Sequence, residues 1–152
     1  MAKSKAPAEA APKVRLTREH RKKEPDEHDY PAALDYLTLV LPKITAEAMV
    51  ALLRVEPLVY RKAKDLLRAS ALPLLAEDNE HVAKDLAKVA LERSLSPVLV
   101  VRGSLGTGRP LAVADGYHRI CASCHLDEDA DIPSRLVDLP SDDQPAQKPQ
   151  SV

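Results

Sequence analysis

The stretch Pro110–Leu126, PLAVADGYHRICASCHL, decides the fold. Leu111-Ala112-Val113-Ala114 is a short apolar run and reads as a buried strand. Asp115-Gly116 breaks it. From Tyr117 the pattern suits a helix: Tyr117, His118, Arg119 and Ile120, then small residues to Leu126. A strand, a Gly turn and a helix start leave backbone N–H groups unpaired, and such a point attracts anions, phosphate above all. His118 and Arg119 fall on the first helical turn, where their donors reach the same anion. A guanidinium is a planar fork that fits phosphate oxygens. The stretch reads either as a phosphate or nucleotide site, or as an ordinary strand-to-helix turn carrying two exposed polar residues.

Working outward, 152 residues leave room for one domain with a real core. With four Tyr, no Phe and no Trp, that core must be built from Leu, Val, Ile and Ala. A net charge of −1 excludes a general affinity of the whole chain for nucleic acid. There is no apolar run of membrane-spanning length and no apolar N-terminal signal, so a cytoplasmic protein without a membrane partner is expected.

Residues 1–28 are read as a disordered basic arm, with eight Lys and Arg against five Asp and Glu. The arm either touches nucleic acid or an acidic partner, or is a solubilising tail. Residues 29–70 are read as a helical segment packed on the core. In its first helix, led by Asp29 as N-cap with Pro31 in the first turn, Leu34, Leu37 and Leu41 fall at near-helical spacing; LTLVL also suits a strand. Thr45 is expected to cap a second helix reaching about Arg54. Leu58–Ser70 is expected as a third, with Leu58, Val59, Ala63, Leu66 and Leu67 inward. Ala71–Leu75, around Pro73, reads as an edge strand, because Pro cannot donate to a ladder. Asn79 is expected to cap a helix over Glu80–Leu91, and Val98–Val101 to form a buried strand. Gly103–Arg109 is a turn, Ile132–Leu139 a last strand, and residues 140–152 a disordered tail. The class is thus α+β, a small mixed sheet with helices.

The pieces LPLLAEDNEHVAKDLAKV, SPVLVVRG, PLAVADGYHRICAS and DIPSRLVDL, spanning about residues 71–139, resemble the ParB/sulfiredoxin-like fold. The most specific likeness is the strand followed by ADGYHR. In that family the motif's amides, with its His or Arg, hold nucleotide phosphates. Partition proteins bind CTP there, and sulfiredoxins and free serine kinases bind adenine nucleotides. The resemblance implies that Asp115, Gly116, Tyr117, His118 and Arg119 hold phosphate. It places Arg102 where a sulfiredoxin carries a basic residue for its nucleotide, and Glu77 and Asp78 in the loop where the kinases keep an acidic catalytic residue. It implies a nucleoside triphosphate of unspecified base, with Mg²⁺ if phosphoryl transfer or hydrolysis takes place. Sulfiredoxins have Cys where this chain has Tyr117, and tyrosine cannot attack as a thiolate does. Partition proteins continue into a helix-turn-helix domain that is not seen after Leu139. The other expectation is a non-catalytic adaptor, binding a protein or nucleic acid through the helical half or the basic arm.

Rival chemistry lies in the same residues. Cys121-Ala122-Ser123-Cys124-His125 spells the C-x-x-C-H pattern of haem attachment. His118, Cys121 and His125 share a helical face that suits zinc, with His81 as an outside ligand. A thioredoxin-like dithiol needs its first Cys at the helix start, and Cys121 is a turn further in. The plain reading makes both thiols small, half-buried helix residues and expects no metal. It has Arg119 pairing with Asp115 or Asp138, and His81 on the surface.

Overall fold

The continuous apolar run Val98–Val101 sets the architecture. This strand is buried on both faces, and period-two geometry sends its side chains to opposite sides. Leu99 and Val101 meet Tyr30, Ala33, Leu37, Met49 and Leu53. Val98 and Val100 meet Ala63, Leu66 and Ile120. A sheet between two helical layers follows. The structure is a computed structural model describing residues 21–140. The disorder expected of residues 1–20 and 141–152 lies outside the described residues.

The described chain runs α1 (Asp29–Val40), α2 (Lys43–Val55), β1 (Val59–Lys62), α3 (Ala63–Ser70), α4 (Glu80–Ala90), β2 (Val98–Val101), β3 (Ala112–Asp115), α5 (Tyr117–Leu126) and β4 (Asp131–Val137). The class is α+β. The sheet order is β1-β4-β2-β3; β4 lies parallel to β2, and both outer pairings are antiparallel. Helices α1 and α2 cover one face, and α3 and α5 the other, with α4 packed on α5. No helix among the described residues is long and apolar enough to cross a membrane.

Several expectations need correction. Leu58–Ser70 is not one helix. Val59–Lys62 pairs with Ser134–Asp131 as the edge strand β1, and the helix starts only at Ala63. Its first amides are satisfied from afar: Ala63 N donates to Ala130 O and Lys64 N to Glu128 O. The sheet therefore draws on the segment read as purely helical, and the expected boundary at residue 70 does not divide the core. Ala71–Leu75 pairs with no strand: Ala71 is the left-handed C-cap of α3, and residues 72–75 form no regular element. Helix α2 begins at Lys43 after Pro42, so Thr45 lies inside it rather than capping it. Asp29 is the first residue of α1, and its carboxylate accepts from Asp26 N at 2.9 Å. The last strand is Asp131–Val137. The arm's final residues, 21–28, belong to the fold: Arg21 is 5% exposed and bridges to Leu95, and Ser96 Oγ donates to Asp26 at 3.0 Å.

The expected cap at Asn79 is present, its side chain accepting from His81 N and Val82 N. Gly116 turns β3 into α5 with φ +112°, a left-handed conformation. A Cβ there would come 2.5 Å from Val98 Cγ1. Gly116→Ala thus meets both backbone strain and a core side chain, and should cost more than about 1 kcal/mol. Chemical denaturation would measure this; an unchanged midpoint would contradict the turn geometry.

Candidate functional site

The site is built from the end of β3 and the first turn of α5. A register shift between Leu99 and Val100 places Asp115 opposite Leu99. Residues opposite one another in a ladder share a face. Leu99 belongs to the cluster beneath α1, so the bulge swings Asp115 toward α1, where it meets Asp29. Between the two carboxylates lies Arg119. Its Nη2 donates to Asp115 Oδ2 at 2.9 Å and to Pro97 O at 3.1 Å, and stands 4.0 Å from Asp29 Oδ2. The Arg119 and Asp115 side chains are 16% and 18% exposed. Burial and the facing Asp29 carboxylate push the Asp115 pKa up, against the pull of Arg119.

Arg119 is therefore turned inward, and its guanidinium is a tie between β3, α1 and the entry to β2. Of the two partners expected in the plain reading, it takes Asp115; Asp138 holds Arg102 instead, at 2.6 Å.

What remains at the helix start is backbone and imidazole. Ile120 N donates to Gly116 O, whereas the amides of Tyr117, His118 and Arg119 have no carbonyl partner among the described residues, and no side chain caps them. Residues 115–119 are half-buried. The rings of His118 and His81 lie 4.7 Å apart. Burial, then the neighbouring His81, hold the His118 imidazole below its ordinary pKa. Sequence reading put His81 on the surface, where it is, but missed its contact with His118; nothing in the spacing signals a pairing between α4 and α5.

One buried group also went unnoticed. Arg21 Nη2 donates to Ser123 Oγ at 2.8 Å, while its Nε and Nη1 have no partner among the described residues. Burial, followed by repulsion from Arg119, lowers its pKa to about 10. Nothing in a mainly polar arm distinguishes this arginine from its neighbours.

The other expected site residues lie elsewhere. Arg102 leaves the far end of β2, four residues or about 13 Å from Val98, the residue beside Gly116. Glu77 and Asp78 are exposed, and Glu77 Oε2 sits 3.6 Å from His125 Nδ1. His125 lies eight residues beyond Tyr117, about 12 Å along α5. The structure does not bring Glu77 to the helix start.

The C-x-x-C-H residues are explained by the segment before α4. Tyr117 Oη donates to Pro73 O at 2.6 Å, Leu75 N to Cys121 Sγ at 3.5 Å, and His125 Nε2 lies 2.6 Å from Leu75 O. Tyr117, Cys121 and His125, spaced four apart, strap that segment to α5. This is why Ala71–Leu75 needs no ladder. Both cysteines are free thiols with pKa values raised by burial, Cys124 to about 11, unlike a reactive dithiol. The zinc set His118, Cys121 and His125 does not converge. Among the described residues the one grouping of ligand atoms within 4.8 Å is Asp26, His28 and Asp29. Asp26 is already held by Lys22 and Ser96, which keep its pKa low.

Compared with protein-family models, curated proteins and solved structures, the chain matches none.

Arg119→Ala should leave Asp29 and Asp115 facing each other without a cation, costing roughly 3 kcal/mol in urea denaturation. Arg119→Lys should recover part of this. A loss below about 0.5 kcal/mol, the range of ordinary surface changes, would show the tie to be dispensable. Cys121 and Cys124 should resist iodoacetamide at pH 8 in the folded protein and react in denaturant; rapid labelling of the native chain would contradict their burial.

Proposed function

We propose that the chain is a nucleotide-binding domain of the ParB/sulfiredoxin-like kind, holding a phosphate at the start of α5. The observation that carries this reading is the set of three amides, Tyr117, His118 and Arg119, that have no partner among the described residues, behind the left-handed Gly116. A helix start of this kind presents donors and the positive end of the macrodipole to an anion. The His118 imidazole stands on this first turn, with the His81 ring 4.7 Å from it. Arg119 supports the turn from behind and does not grip the phosphate. Arg102, Glu77 and Asp78 fall outside this site, so the reading is binding; phosphoryl transfer, and any Mg²⁺ it would need, has no acidic group placed for it by Glu77.

The pH dependence follows from His118. Its pKa is lower folded than its ordinary value of 6.5, so the folded state holds this proton less tightly than the unfolded state. The group's full contribution to stability is present above pH 6.5 and is lost as pH falls through the lowered folded value. A bound anion favours imidazolium and reverses the shift.

Sulfate, which does not titrate in this range, is the first probe. It should raise the His118 pKa measured by NMR, shift the amides of residues 117–119, and bind more tightly as pH falls from 7 to 5.5. His118→Gln should weaken sulfate and ATP or CTP binding about three- to tenfold while the fold persists, the range of one hydrogen bond of about 0.5–1.5 kcal/mol. Amide shifts confined to other residues, or no saturable binding at millimolar concentration, would overturn the reading. The latter result would favour a non-catalytic adaptor.

A further inference from the structure

Of His81, His118, Cys121 and His125, the set that suits zinc in the sequence, two meet in the structure. The His81 and His118 ring centroids lie 4.7 Å apart, with the ring planes at 42°. Each histidine is the second residue of its helix, α4 and α5. The Asn79 side chain accepts from His81 N at 3.0 Å and from Val82 N at 3.2 Å, which fixes the start of α4. Val82, fully buried, packs with Cys121 and Ala122 and locks that turn against α5. The left-handed Gly116 fixes the start of α5. Both imidazoles are thus carried by packed helices, which hold ligands more firmly than loops do.

Their nitrogens are available. Among the described residues neither ring takes part in a hydrogen bond or an ion pair. His125, by contrast, is engaged by Leu75 O and Glu77, and His28 by Asp29. His81 is exposed and His118 half-buried, so the pair opens to solvent. The neighbouring charges suit a cation. Asp85 lies four residues after His81, on the same face of α4, and is 8% exposed. Its charge acts on His118 and on Arg21, and its carboxylate is 3.7 Å from Lys88. Arg119, the guanidinium beside His118, is taken up by Asp115 and Asp29. The Tyr117 ring lies 5.5 Å from His118, but its hydroxyl is spent on Pro73 O.

We propose that His81 and His118 together bind one divalent transition-metal ion of the zinc, nickel or copper class, with water in the remaining positions. Imidazole suits these ions, whereas Mg²⁺ and Ca²⁺ take oxygen ligands. A tetrahedral ion about 2.0–2.1 Å from each nitrogen needs the two nitrogens about 3.3 Å apart. Rings centred 4.7 Å apart reach this by turning about χ2, a broad torsion in histidine. The metal site does not rest on anion binding at the α5 start. The two share His118, and His81 serves the metal alone.

The test titrates the full chain with Zn²⁺, Ni²⁺ and Mg²⁺ in phosphate-free buffer, by calorimetry and by NMR of the imidazole protons. Zn²⁺ and Ni²⁺ should each saturate at one ion per chain below millimolar concentration, and Mg²⁺ should not bind. Zn²⁺ should shift the His81 and His118 ring protons together. His81→Ala and His118→Ala should each weaken Zn²⁺ by about tenfold or more, since even an outer partner of a ligand is worth about 10–100-fold in metal affinity. His81 is exposed, so His81→Ala should keep the urea midpoint and the sulfate shifts at residues 117–119. His20→Ala, His28→Ala and His125→Ala should leave the Zn²⁺ affinity unchanged. The Co²⁺ form should show d–d bands without a thiolate charge-transfer band. Zn²⁺ bound equally well by His81→Ala, or not bound at all by the wild type, would overturn the assignment. Loss of binding in His28→Ala would move the ion to Asp26, His28 and Asp29, and a thiolate band would move it to Cys121 and Cys124; either result also overturns it. Sulfate shifts that survive such a failure would leave the anion reading standing.

Discussion

The structure depends on how one guanidinium is shared. Arg119 stands between Asp115 and Asp29 and touches Pro97 O, so three stretches distant in sequence, around residues 29, 97 and 115–119, converge there. The apolar clusters supply more free energy: each buried Leu or Val contributes about 1.5–3 kcal/mol. But apolar contacts are non-directional and tolerate sliding. The charged cluster does not, because a carboxylate moved away from Arg119 would be buried without a partner. Asp29, 2% exposed, accepts from Asp26 N and lies 4.0 Å from the Arg119 guanidinium. The position of α1 over the sheet is thereby tied to the turn that starts α5. Arg135 does similar work for α2: its Nη1 donates to Leu53 O and Arg54 O, closing carbonyls at the helix C-terminus.

Elements decided locally were legible in the sequence. Val98–Val101 is a continuous apolar run that only a doubly covered strand explains, and it is one. Asn79 carries its own acceptor to the amides it caps, so α4 was readable within a residue. Gly116 announced a turn, because a helix rarely begins behind aspartate and glycine without one. Elements decided by distant partners were not legible. Val59–Lys62 has the composition of a helix start and becomes a strand because β4 offers it a ladder. Ala71–Leu75 has the composition of a strand and finds no ladder, because Tyr117, Cys121 and His125 satisfy its backbone instead.

The candidate site divides in the same way. Its backbone half, the bare amides behind Gly116, follows from chain geometry and was legible. Its side-chain half was not. The direction of Arg119 depends on a bulge opposite Leu99 and on a carboxylate from α1, neither of which leaves a mark near residue 119. The same holds for Arg21, one of many basic residues in its arm, which becomes buried because Ser123 and the start of β2 lie where it enters the fold. The pattern C-x-x-C-H is the converse case: a strong local motif whose residues are spent on holding a neighbouring segment.

The inward turn of Arg119 changes the electrostatics of the α5 start without removing its positive character. Arg119 faces two carboxylates, Asp29 and Asp115, while the carboxylate that faces Arg21 is Asp85. Asp115 accepts a proton more readily than an ordinary aspartate, since burial and Asp29 both disfavour its charge. Each proton it takes leaves the Arg119 guanidinium with one carboxylate fewer. The imidazole of His118, half-buried beside His81, changes charge in the same sense as the medium becomes more acidic. The buried cluster and the half-exposed ring therefore act together on the unpartnered amides. An anion bound there meets a field that strengthens with falling pH, although the arginine of the motif never touches it.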